Sequence, residues 1–483
     1  MSQQTVATRQ EPGTEGFLDR FFHLKEFGTT VPTEVMAGLT TFMVMAYILF
    51  VNPIILGNPD LPDQFPIRAT ATATALVAGV MTIIMGLATN RAYAIAPGMG
   101  LNAIVAFQLV GSMGLTMPQA MGVIVAEGLV ITALVLLGIR QAVFNAIPTE
   151  LKKAISVGIG LFILFIGLVN GGIVVADPAT LVALGDLRGA PVFVTAFGLA
   201  LTIALMARNV RGAILWGILG STVAAIIAKA VTGTDAFAPG VAELPSQWIA
   251  TPDFGTIGQF SFGFIAELGV LTAILVVFAL MLSDFFDTMG TLIGVGSQAG
   301  YLNEKGELPQ AQRALVVDSL AAVAGGAAGT SSATTYIESA AGVGVGGRTG
   351  LVAVVTGILF LLAMPLAPLV EVVPSQATAP ALIIVGWMMM SVLSERETRT
   401  QDGRTIVGRA IDFANLEEGL PVVATMVMMP LTYNITNGIG AGFITWTLIK
   451  IFKGKFREVH PAMHIASLAF LVYFLRSYLG VEV

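Results

Sequence analysis

Glu127, Asp284, Asp287 and Glu338 are carboxylates set in or beside segments otherwise apolar enough to cross a bilayer. A charge at membrane depth costs roughly 2.5 to 3.5 kcal/mol on insertion scales, so an acid kept there faces a cavity or a partner and marks a functional position. Asp284 and Asp287 are three residues apart and project from one helical face, with Thr288 and Thr291 following Asp287. Two nearby carboxylates need not ionise together: desolvation and mutual repulsion would raise the affinity of one for a proton, which is what a proton-coupled carrier requires. Spacing alone leaves open which acid carries it.

Such groups need a scaffold, and the chain supplies a polytopic one. Of 483 residues 55% are hydrophobic and 11% charged, and the mean hydropathy of +0.84 describes an integral membrane protein. The polar opening residues lack a charged start followed by an apolar run, so no cleavable signal is read and the first span is expected to direct insertion. With no cysteine, disulfides, thiol nucleophiles and cysteine-ligated metals are excluded. The net charge of −6 says little about partners, and no feature points to nucleic acid.

Hydropathy predicts spans 1 to 7 at 33–56, 70–89, 96–112, 117–138, 149–171, 190–207 and 211–232. Spans 8 to 14 follow at 264–299, 311–328, 335–346, 350–371, 377–394, 418–434 and 436–453. With a cytoplasmic N-terminus (1–32), twenty basic residues fall inside and only Arg68, Arg188 and Lys229 outside, the bias expected of inner loops. The charged segment 394–404 reads as a solvated inner loop. A last apolar stretch, 462–480 with Arg476, could cross once more but is expected to lie along the inner interface within a C-terminal segment 454–483.

Seven spans per half give the halves opposite orientations, the inverted-repeat plan of many secondary transporters. Spans 3 and 10 are both short and interrupted, and irregular backbone at that depth is tolerated only inside protein or beside a cavity. In span 3, Pro97 and Gly98 precede a helix expected to begin near Gly100; in span 10, hydroxyl and β-branched residues precede Glu338 and a small-residue helix. Glu338 would then sit in a first helical turn, where the positive end of the helix dipole favours an anion.

Three motifs in this order, APGMGLNA (96–103), DFFDTMGT (284–291) and TTYIESAAG (334–342), resemble the AzgA-type purine permeases, a branch of the nucleobase:cation symporters with the UraA-type fold. The likeness runs over about residues 17–480. It implies an all-α polytopic protein of 14 transmembrane segments in a 7+7 inverted repeat, with short strands in spans 3 and 10. It implies a core domain of spans 1–4 and 8–11 (33–138 and 264–371) and a gate domain of spans 5–7 and 12–14 (149–232 and 377–453). It further implies a homodimer in the cell membrane that imports a purine, such as guanine, hypoxanthine, adenine or xanthine, with a proton. The family's span-8 acid falls on Asp287, with Asp284 one turn before it; its span-10 acid falls on Glu338, and its span-3 polar residue on Asn102. Substrate contacts are expected from these four and from Thr335 and Gly98, and proton coupling from Asp287, Glu338 and Asp284. The chemistry is coherent: carboxylates accept purine N–H donors, and an aromatic residue such as Phe285 or Tyr336 could cover the ring.

Plainer readings stand beside these. Asp284 could support packing instead, and Glu127 is expected to be structural, hydrogen-bonded between helices, because no second polar residue accompanies it in span 4. Asn52 and Pro53 read as kink and packing. His460 and His464 lack an acidic neighbour between them, and the glycine-rich runs contain no phosphate-loop pattern, so no metal, cofactor or nucleotide hydrolysis is expected. An anion exchanger or channel of the same architecture is disfavoured by the acids at its centre. An intramembrane enzyme is disfavoured by the absence of an HExxH motif, a cysteine, or a serine–histidine pair at membrane depth.

Overall fold

The computed structural model describes residues 16–138, 146–233, 236–237, 240–303, 308–394, 396–401, 404–409 and 411–475. Three of the twenty basic residues counted as inner, Arg9, Arg140 and Lys305, lie outside them, as do Arg476 with the end of the final apolar stretch and the first 15 residues of the N-terminal segment.

Among the described residues eight helices are long and apolar enough to cross a bilayer unaided: Val31–Leu56, Ile67–Thr89, Met117–Leu136, Thr149–Asn170, Ala190–Ala207, Ala213–Thr232, Val270–Ala299 and Ile435–Phe452. They correspond to spans 1, 2, 4, 5, 6, 7, 8 and 14. Spans 9, 11, 12 and 13 contain the helices Ala311–Ala328, Gly350–Ala363, Ser375–Met390 and Leu416–Leu431. Local chemistry sets several starts. Thr116 and Gln119 close a reciprocal capping box at span 4, and the Asn434 side chain accepts from the Asn437 N–H at span 14.

Spans 3 and 10 are broken as expected. The strand Ile95–Pro97 pairs antiparallel with Ala333–Thr335, Ile95 facing Thr335 and Pro97 facing Ala333. Pro97 has no N–H to give and ends its strand; the next N–H, of Gly98, donates to Ser332 O at 2.8 Å. Span 3 continues as the helix Met99–Ala103 and a π-helical stretch, Ile104–Ser112; span 10 continues as Ser339–Gly344.

The inverted repeat is visible in the packing. Span 2 lies on span 11 so closely that a Cβ on Gly350 would sit 2.1 Å from Gly86 O. Their repeat mates pack in the same way: a Cβ on Gly128 of span 4 would meet Val323 N of span 9 at 2.7 Å. Small residues of this kind let membrane helices touch backbone to backbone. Helix packing is denser within spans 1–4 and 8–11 and within spans 5–7 and 12–14 than between the two sets, and core and gate serve below as labels for them. Across the core, Arg68 in the first turn of the helix Ile67–Thr89 makes a two-point ion pair with Glu371 at the end of span 11, at 3.2 and 2.7 Å.

One expectation gains detail and one needs correction. The loop that includes 394–404 carries an antiparallel strand pair, Arg396–Gln401 with Arg404–Arg409. The C-terminal helix Pro461–Leu475 does not lie flat along the interface; it runs back along span 14. Thr447 bonds Ser467 at 2.7 Å, Phe443 meets Phe470 edge to face at 5.9 Å, and Gly440 is packed against Phe470 and Phe474. The hydroxyl pair and the glycine notch give this apolar helix a better partner than the bilayer surface.

Candidate functional site

The strand pair ends beside span 8, and the acids gather there. Glu338 stands at the N-cap position of the helix Ser339–Gly344 without a side-chain capping bond, and its Oε1 accepts from the Tyr47 hydroxyl at 2.7 Å. Tyr47 is held at the break between the two helices of span 1, Val31–Met45 and Ile48–Leu56. Asp287 projects from the middle of span 8 as an electrostatic neighbour of Glu338. Both side chains are only partly covered, whereas Asp284, one turn earlier, is 1% exposed.

A fifth acid, Asp318 of span 9, organises this region and was missed. Its Oδ1 accepts from the Thr335 N–H at 2.7 Å and hydroxyl at 2.6 Å, and its Oδ2 from the Thr288 hydroxyl at 2.6 Å. Thr288 in turn bonds Thr334 at 2.7 Å. One carboxylate thus ties span 8, span 9 and the span-10 strand together. Asp318 lies in the predicted span 311–328, so the rule that singled out the other four acids applied to it equally.

Asp287 faces a narrow cleft between core and gate, about 330 Å³ including its open mouth. Gly100, Leu101, Ser283, Phe286 and Asp287 line it from the core, and Ile155, Ser156, Ile159 and Met389 from the gate. A Cβ on Gly100 would sit 2.7 Å from Ile159 Cγ2, so glycine is what allows the two groups to meet here. The aromatic wall is Phe286 rather than Phe285, and the Tyr336 hydroxyl is already committed to Pro97 O.

The other sequence candidates sit behind this surface. Asn102 is fully buried, donating to Asn52 Oδ1 at 3.0 Å, while Asn52 donates to Thr74 and to Thr330 O. Thr335 is occupied by Asp318, and Gly98 packs on Leu101 and Thr334. These residues hold the broken backbone in place. Glu127, read as lacking polar company in span 4, instead lies against Asp284 and Ser332, and neither of its oxygens has a donor in hydrogen-bonding geometry.

At the far end of span 3 the two groups are fastened together. Gln108, fully buried, donates to Thr436 Oγ1 at 2.8 Å and accepts from the Ile435 N–H at 2.9 Å. Next to it Tyr433 meets Phe107 of the core and Phe162 and Phe165 of the gate edge to face. The cleft lies toward the opposite end, where span 5 carries Lys152 and Lys153 and Glu417 pairs with Lys450, Lys453 and Lys455.

This geometry has recognisable relatives. The guanine/hypoxanthine permease PbuG of Bacillus subtilis is 42% identical over 462 residues, 94% of this chain and 99% of its own length. The adenine permease AdeP of Escherichia coli is 40% identical over 465 residues, 96% of this chain and 97% of its own. Among solved structures, the transmembrane domain of a cyanobacterial bicarbonate transporter, BicA, superposes with a TM-score of 0.59 at 15% identity, over 85% of this chain and 96% of its own. The murine anion transporter Slc26a9 in its inward-facing state gives 0.60 at 11% identity, over 93% and 74%. At such identities these two speak for the fold alone. The profile of the Permease family Xan_ur_permease matches residues 32–411, and the chain belongs to that family as a multi-pass membrane transporter.

Proposed function

We propose that this protein imports purine nucleobases by proton symport, binding one purine in the cleft between core and gate. The observation that carries the reading is the placement of Asp287 on the cleft wall with Glu338 beside it. A purine presents ring N–H groups that carboxylates accept, carbonyl or ring-nitrogen acceptors, and a flat apolar face that Phe286 and Leu101 can cover. The names of the relatives, guanine/hypoxanthine and adenine permeases, support the substrate class.

Alternating access follows from how core and gate meet. Gln108 and Tyr433 close one end of their boundary, and the cleft lies toward the lysine-rich end, which the distribution of basic residues assigns to the cytoplasm. The conformation described is therefore closed outside and inward-facing. Rocking of the gate against the core would part Gln108 from Thr436 and carry the site outward. Two acids at the centre argue against an anion as cargo. The test is gradient-driven uptake of labelled hypoxanthine into proteoliposomes. Equal uptake with and without a proton gradient would remove the coupling, and lack of competition by other purines would remove the substrate class.

A further inference from the structure

Behind the cleft, Glu127 of span 4 faces Asp284 of span 8 across a fully buried boundary; their relative exposures are 0% and 1%. Both Glu127 oxygens and Asp284 Oδ1 lack a hydrogen-bond donor, and neither side chain has an ion-pair partner among the described residues. The Ser332 hydroxyl, from the turn before the span-10 strand, donates to Asp284 Oδ2 at 3.3 Å. That hydroxyl, which also lies against Glu127, is the one donor available to the pair's four carboxyl oxygens among the described residues. The other charged groups near the pair are also acids: Asp318 acts on both, and Asp287 on Asp284.

A buried carboxylate without a donor is among the costliest arrangements a protein can hold, and two facing each other cost more. A proton between them removes the conflict, since one carboxyl becomes an O–H donor to the other and the orphaned oxygens acquire partners. We propose that Glu127 and Asp284 jointly hold one proton inside the core, and that this is the proton carried with the substrate. Asp287 and Glu338 are then left free to accept the N–H groups of the purine. Asp287, one turn from Asp284 and open to the cleft, is the route by which the shared proton reaches water: on each cycle one proton passes onto the pair from outside and one leaves inside. This rests on the proton-symport reading and adds to it Glu127, which the cleft does not reach.

Two measurements on the purified full-length protein test it. Glu127→Gln imitates the protonated state in shape and charge, so exchange of labelled for unlabelled hypoxanthine at equal concentrations is expected to continue. Accumulation driven by an inward proton gradient is expected to be lost. Infrared difference spectra should show a protonated-carboxyl C=O stretch at neutral pH in the parent protein, absent from Glu127→Gln and from Asp284→Asn. Full proton-driven accumulation by Glu127→Gln, or an unchanged carboxyl band in both variants, would overturn the shared proton. Accumulation driven by a sodium gradient and lost in Glu127→Gln would assign the pair to a metal cation and overturn it equally. A parent protein that accumulates under neither gradient would instead sink the symport reading itself. Should Glu127→Gln fail to fold, the band in Asp284→Asn decides.

Discussion

Glu338 is held ready by a single tyrosine hydroxyl. Tyr47 donates to it from the break in span 1, and a hydrogen bond to a charged group contributes about 1.5–3 kcal/mol. Tyr47→Phe should therefore weaken purine binding by roughly tenfold or more while leaving the folded protein intact, as read by competition binding and thermal unfolding in detergent. Unchanged affinity would show that the orientation of Glu338 does not matter. Asp287→Asn and Glu338→Gln are expected to abolish transport at normal expression; normal purine affinity and transport in both would contradict the site. Asp318 behaves differently, since three protein donors already bond it. In Asp318→Asn an amide NH₂ must face either the Thr288 hydroxyl or the Thr335 donors, and the lost bond should lower stability by about 1–3 kcal/mol. Reduced thermal stability with purine affinity largely kept in the surviving protein is the expected signature of that tying role.

At the scale of elements, the broken spans do the positioning, and they were also what the sequence made most legible. Pro97 and Gly98 in one short apolar stretch, and hydroxyl residues ahead of Glu338 in the other, can only be tolerated away from lipid and so marked the broken backbone; the strands there were implied by the family resemblance, and their pairing is seen in the structure. What local pattern could not supply was which side chains the pairing would bury. Asn102 and Thr335 lie in the right motifs yet point to Asn52 and Asp318, because orientation around a broken helix depends on its tertiary partners. Tyr47 and Gln108 gave no signal, being single polar groups whose partners are 291 and 327 or 328 residues away. The C-terminal helix was misplaced because its composition suits a surface helix as well as one packed on span 14; the deciding contacts, Ser467 with Thr447 and Phe470 with Gly440, are pairwise. The close approach of spans 3 and 5 is open to direct test. Gly100→Val would drive new methyl groups into Ile159 and should abolish transport without loss of fold, and Ile159→Ala should restore part of it. Failure of the second change to restore any activity would mean that Gly100 acts through something other than its room against Ile159.

For the whole molecule, the account is one of two packed groups that meet at a latch on one side and a cleft on the other. The absence of cysteine makes this measurable with single introduced thiols. Ser156→Cys lies on the gate wall of the cleft and should react with a thiol reagent supplied from the cytoplasmic side. Removal of the latch in Gln108→Ala should shift the population outward and slow that reaction; an unchanged rate would deny the latch its role. The central claim, that the acids beside the cleft serve proton-driven purine import, is tested most directly by uptake of labelled hypoxanthine into proteoliposomes under an inward proton gradient. Guanine, adenine, xanthine and uracil would be present in turn as unlabelled competitors. The account predicts accumulation above the external concentration that collapses when the gradient is dissipated and is blocked by purines. Folded protein that equilibrates hypoxanthine without accumulating it, or that ignores purines altogether, would contradict it.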